Sequence, residues 1–232
     1  MIKALTQPLI AFRISLVAGL AILALSIASV LQEPPVPCGP LKSNYAPIIA
    51  FELARTESDL QAVFGSEPSE CRTILIAKMD GVTLIDMFVF VPVYGLFLLC
   101  FMLAMRSRDL QLANAGIALT VLAVVADYVE NACLMQLTPA LDAGSVWFAL
   151  LPWATGIKWL ALGGISAAAG SIYVKRRPRN ILAAVLCLLS FAVTIAAIAA
   201  PATFGSILSP GVAVGWLTFF LTAAAGAFRK SN

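Results

Sequence analysis

Histidine is absent from this chain of 232 residues. That removes the commonest general base near neutral pH and the commonest ligand of zinc, copper and non-haem iron, so a metal here would have to accept oxygen or thiolate. Charge is scarce as well: 12% of residues are Asp, Glu, Lys or Arg, about half of what a soluble domain carries. No GxGxxG or Walker pattern offers a cradle for nucleotide phosphates, and there is no CxxC pair, GxSxG elbow or HExxH helix. The net charge of +3 is too small to favour nucleic acid as a partner. Between residues 138 and 144, and again between 201 and 203, there is no Lys or Arg.

What fills the chain is hydrocarbon. Hydrophobic residues make up 61% and the mean hydropathy is +0.95, values that belong to a membrane protein. Runs long enough to span as helices occur near Arg13–Leu31, Gly81–Met105, Leu112–Leu137, Ser145–Val174, Asn180–Ala200 and Phe204–Phe228. The expected fold is an all-α, polytopic bundle of six transmembrane helices in a single integral membrane domain, 1–232, with a loop subdomain over 32–80.

Basic residues set the expected orientation. Lys3 and Arg13 precede the first run, and Arg106 and Arg108 follow the second. Lys175, Arg176, Arg177 and Arg179 link the fourth and fifth, and Arg229 and Lys230 follow the sixth. The positive-inside rule then places both termini in the cytoplasm and the 32–80 loop outside. A bacterial inner membrane is the default location. The first run can alternatively be read as a secretory signal, since Ser26, Ala28 and Ser29 supply small residues near its end, but its apolar stretch is longer than a signal requires.

The loop opens with Pro34, Pro35, Pro37 and Pro40, which predicts a stiff, extended start. Two short helices are expected after it. Pro47 suits a first helical turn, and Thr56 with Asp59 matches a capping box for a second helix that Gly65 would end. The apolar first piece has the composition to lie along the membrane surface. Cys38 and Cys71 flank both helices on the oxidising side and are a disulfide candidate. Cys100, Cys133 and Cys187 fall in the spans and read as small apolar packing residues.

Against this background a few polar residues stand out. Asp86, Asp127, Glu130 and Lys158 lie inside apolar spans, where each costs roughly 2.5–3.5 kcal/mol on insertion scales. Asp127, Glu130 and Asn131 sit at i, i+3 and i+4 and share a helix face, with Thr120 on that face earlier in the helix. By rise per residue all of them, with Lys158 reaching outward toward Asp127, fall in the outer half of the bilayer. Tyr94 can add a hydroxyl, Pro92 can open a backbone carbonyl, and Glu52 or Tyr45 of the loop can cover the pocket. Three acids and one lysine do not neutralise each other, so a carboxyl must be protonated, hold a cation or reach water.

Three functions fit. The first is binding or translocation of a cation, a proton or a small amine-bearing solute. The second is a metal-dependent enzyme acting on a lipid or isoprenoid, with Asp86, Asp127 and Glu130 as candidate ligands of Mg²⁺ or Mn²⁺ and Lys158 facing a phosphate. The third is an accessory or assembly protein, a homo-oligomer or partner of another membrane protein, whose polar network only fixes helix register. Membrane lipids are partners in every case. Gly163, Gly164, Ala168 and Gly170 permit close helix approach, within one molecule or between two. The last two spans read as scaffold or oligomer interface. The sequence names no cofactor and no reaction.

Overall fold

A computed structural model describes residues 7–31, 35–42, 45–176 and 180–228. Lys3, Pro34, Arg177, Arg179, Arg229 and Lys230, used above, lie outside the described residues, as do the side chains of Ser29 and Arg176.

All regular structure among the described residues is helical. In chain order the elements are α1 (Pro8–Leu31), α2 (Pro47–Glu52), α3 (Glu57–Phe64), α4 (Glu70–Ile85), a π-helical turn (Asp86–Phe90), α5 (Val91–Met105), α6 (Leu110–Leu137), α7 (Val146–Arg176), α8 (Ile181–Ala199), α9 (Pro201–Phe204), a 3₁₀ turn (Gly205–Ile207) and α10 (Leu208–Ala227). Among the described residues six helical stretches are long and apolar enough to cross a membrane, so the chain is a multi-pass membrane protein.

Each span packs against the one before it, α1 on α5, α5 on α6, α6 on α7, α7 on α8 and α8 on α10, and α10 closes the ring on α1. Gly163 and Gly170 of α7 face α8, where added β-carbons would stand 3.1 Å from Thr194 and Leu188, and Gly164 faces Leu119 of α6 at 3.0 Å. The small residues of α7 thus serve packing within the molecule. Cys100, Cys133 and Cys187 are buried free thiols.

The second span departs from its expected start. Helix begins at Glu70, not Gly81, and runs without a break to Met105. The expectation took the first charged residues outside the hydrocarbon as the helix limit. A helix needs a cap and an unbroken ladder of backbone bonds, not an apolar environment: Ser69 caps α4 by accepting from the Arg72 amide, and Gly81 meets no crowding there. Pro92 removes the amide that would close the following turn, and just before it the Val91 amide donates to the Asp86 carbonyl across a π turn.

The loop subdomain follows the expected chemistry. Pro47 starts α2, and the Thr56–Asp59 capping box starts α3, which ends at Gly65 with φ of +76°. Cys38 and Cys71 are joined, and Arg72 donates to the Phe64 and Gly65 carbonyls at 3.1 and 2.5 Å. The first piece packs into the molecule. Ala50, Phe51 and Glu52 of α2 are buried, and Phe51, Leu60, Val63 and Phe64 form an apolar cluster with Leu75, Met79, Leu134, Leu137 and Phe148. Burial of Phe51 against the ends of α6 and α7 takes its whole ring out of water. The subdomain therefore plugs one end of the bundle, and that plug carries Glu52 into the site.

Candidate functional site

Lys158 of α7 sits at the centre. Its ammonium pairs with Glu52 of α2 at 3.0 Å, with Asp127 of α6 at 3.6 Å, and with Glu130 of α6. It also lies 4.6 Å from the ring centroid of Trp159. Relative exposures of 5% for Lys158, 3% for Asp127, 1% for Glu130 and 8% for Glu52 put the network out of bulk solvent, where an unpaired charge is prohibitive and a paired one is held tightly. The i, i+3 spacing of Asp127 and Glu130 is what lets one ammonium reach both from a neighbouring helix.

Around this centre the hydrogen bonds continue. The Tyr94 hydroxyl donates to Asp127 Oδ2 at 2.8 Å. The Asn131 amide donates to Asp86 Oδ2 at 2.7 Å and to Asp127 Oδ1 at 3.4 Å. Trp159 Nε1 donates to Glu52 Oε2 at 3.2 Å, and the Thr155 hydroxyl donates to the Glu52 carbonyl at 3.0 Å. Glu52 is thus gripped through both its backbone and its side chain. Burial raises its carboxyl above the ordinary pKa, opposed by the Lys158 ammonium and reinforced by Asp127.

A cavity of about 360 Å³ opens beside the network, within the range of small-molecule sites. Glu52, Asp86, Asp127, Asn131 and Lys158 line it on one side. Glu130 does not line it and stands behind Lys158, its Oε2 buried without a hydrogen-bond partner among the described residues. Asp86 differs from the other acids. It is only partly buried, it reaches the cavity, and among the described residues no cation lies within ion-pair distance of it. In the wide turn that begins at Asp86, the four-residue spacing Asp86, Phe90, Tyr94 keeps all three on the cavity, since a π turn takes up drift that this spacing accumulates on a 3.6-residue helix.

Sequence reasoning named Asp86, Asp127, Glu130, Asn131, Lys158 and Tyr94, and the structure brings all six together. Of the two loop candidates Glu52 enters the cluster, whereas Tyr45 packs against Gly205 and does not line the cavity. Burial raises the Tyr45 phenol to about 12, with Asp59 and Glu52 adding to the effect. Thr120 is buried on the shared face but spends its hydroxyl on the Gly116 carbonyl. The pocket also draws on more of the ring than expected. Ile22 and Ser26 of α1, and Ser209, Val212, Ala213 and Trp216 of α10, line it, so the last span is not mere scaffold. Trp216, the single Trp of the last span, was the available signal. Among the described residues no three Cys, Asp or Glu side chains are grouped as metal ligands, because Glu130 turns to Lys158 while Asp86 turns to Asn131.

The chain is a membrane-like helical bundle with a buried lysine ion-paired to three carboxylates. No protein-family profile, curated protein or solved structure matches it.

Proposed function

We propose that this protein binds a small cationic, amine-bearing solute in the cavity, with Asp86 as the anchoring carboxylate. The observation that carries the reading is the charge imbalance of the polar cluster beside the cavity. Four acids, Glu52, Asp86, Asp127 and Glu130, face one base, Lys158. Lys158 is already committed to three of them, which leaves Asp86 to hold a cation from outside the chain. A carboxylate has about four acceptor positions, and Asn131 uses one on Asp86. In the orientation favoured by the basic residues the cavity faces outward, the arrangement of a receptor or of the outward-open state of a carrier.

A proton relay is less favoured, because an Asn amide, which does not pass protons, is what bridges Asp86 and Asp127. The metal-dependent enzyme gains no grouped ligand set among the described residues. The register-fixing network describes the Lys158 centre well but gives Asp86 and the cavity no task.

Equilibrium dialysis of radiolabelled methylammonium against the protein in nanodiscs tests the proposal. Saturable binding should weaken at least tenfold in Asp86→Asn and persist in Asp142→Asn, an acid of the α6–α7 turn remote from the cavity. Equal binding by wild type and Asp86→Asn would reject the assignment.

A further inference from the structure

We infer that the solute is an amphipathic amine, its ammonium on Asp86 and its apolar part against the wall made by α1 and α10. This rests on the cationic reading above and adds the class of molecule.

Size comes first. A cavity of about 360 Å³ corresponds to the liquid volume of about twelve waters at ~30 Å³ each, far more than a bare inorganic cation or methylammonium occupies. With a small cation bound, the rest would hold water against apolar side chains, a poor use of such a surface.

The second observation is the separation of polar and apolar lining. In the ring, α6 and α7 stand across from α10 and α1. The former pair supplies Asp127, Asn131 and Lys158, the charged and amide groups on this side, beside Trp159 and Leu162. The latter supplies Ile22, Val212, Ala213 and Trp216, and its polar groups are the hydroxyls of Ser26 and Ser209 and the indole N–H of Trp216. A ligand spanning this gap is polar at one end and apolar at the other.

The third is an aromatic cluster beside Asp86. Phe90, Tyr94 and Trp216 all line the cavity, with centroids 5.9 Å apart for Phe90 and Tyr94, 6.1 Å for Phe90 and Trp216, and 5.5 Å for Tyr94 and Trp216. Aromatic faces attract organic ammonium groups and pack well against the carbons attached to them. Lys158 disfavours a cation deeper in the site, so the ammonium stays at Asp86 and the tail points to α10.

The experiment uses the full chain in nanodiscs with Trp147→Phe and Trp153→Phe, leaving Trp159 and Trp216 as reporters at the cavity. Their emission is titrated with methylammonium, butylammonium, hexylammonium and neutral 1-hexanol. Affinity should rise with chain length, by up to about fourfold per methylene buried. Hexanol should give no saturable change, and Asp86→Asn should weaken hexylammonium at least tenfold. Ala213→Phe, which narrows the apolar end, should remove the gain with chain length. Saturable binding independent of chain length would overturn the amphipathic class while leaving the cationic reading standing. Hexanol binding as well as hexylammonium, unaffected by Asp86→Asn, would overturn the cationic reading itself, and no saturable binding by any probe would overturn both.

Discussion

At the scale of single residues the acids divide by their surroundings. Lys158 is held by Glu52, Asp127 and Glu130, and removing it would leave three buried carboxylates without their counter-charge. Lys158→Met should therefore lower stability by about 3–5 kcal/mol, read as thermal unfolding in a mild detergent. Asp86→Asn should cost no more than about 1 kcal/mol, because the new amide oxygen can still accept from Asn131 and no ion pair is broken. A large loss for Asp86→Asn would make that residue structural too.

Glu52 predicts a pH dependence. An acid whose pKa is raised in the folded state contributes fully below its unfolded value, and the contribution is lost as pH rises through the folded one. Docking of α2 should thus weaken from the ordinary carboxylate range upward. Glu52→Gln should flatten this fall in melting temperature. A decline as steep as wild type would show that another group titrates.

At the scale of elements, local chemistry explains the caps and turns, and packing explains the close approaches. The loop is closed by Cys38–Cys71 across 33 residues, a closure of about 3–4 kcal/mol in the chain-entropy account. Cys71→Ser should loosen α2 and α3 before the bundle, seen as protease cleavage between residues 45 and 69 at temperatures where the spans remain helical. Simultaneous loss of both would mean that the loop and bundle unfold as one. Gly215 of α10 marks a tight crossing: an added β-carbon would lie 2.7 Å from Ser190 Oγ and 2.8 Å from Ser166 Oγ. Gly215→Val should cost about 1–3 kcal/mol by overpacking, with the melting temperature as readout.

Much at this scale was legible beforehand. The capping box at Thr56 and Asp59, the Pro47 start and the disulfide are written in short patterns whose physics is local. The start of the second span was misplaced because Arg72, Lys78 and Asp80 were taken as loop, although charged residues extend a helix readily once it has left the hydrocarbon. The π turn had Pro92 as its only hint, and a proline accommodates several backbone solutions.

At the scale of the whole molecule the closed ring is what makes a site. Six largely apolar spans become a container because α10 returns to α1 and the loop subdomain closes over one end. The number of spans, the asymmetry of basic residues and the presence of Asp86, Asp127, Glu130 and Lys158 in hydrocarbon follow from sequence alone, since hydropathy and charge are properties of each residue in its own stretch. That Lys158 takes three carboxylate partners while Asp86 has no ion pair among the described residues, that Glu52 leaves the loop to join them, and that Trp216 shares a cavity with the acids were decided only by tertiary structure. Those facts depend on distances between segments far apart in the chain, as in the bond from Trp159 to Glu52 across 107 residues, and such distances are set by how helices and loop pack together rather than by any pattern along the chain.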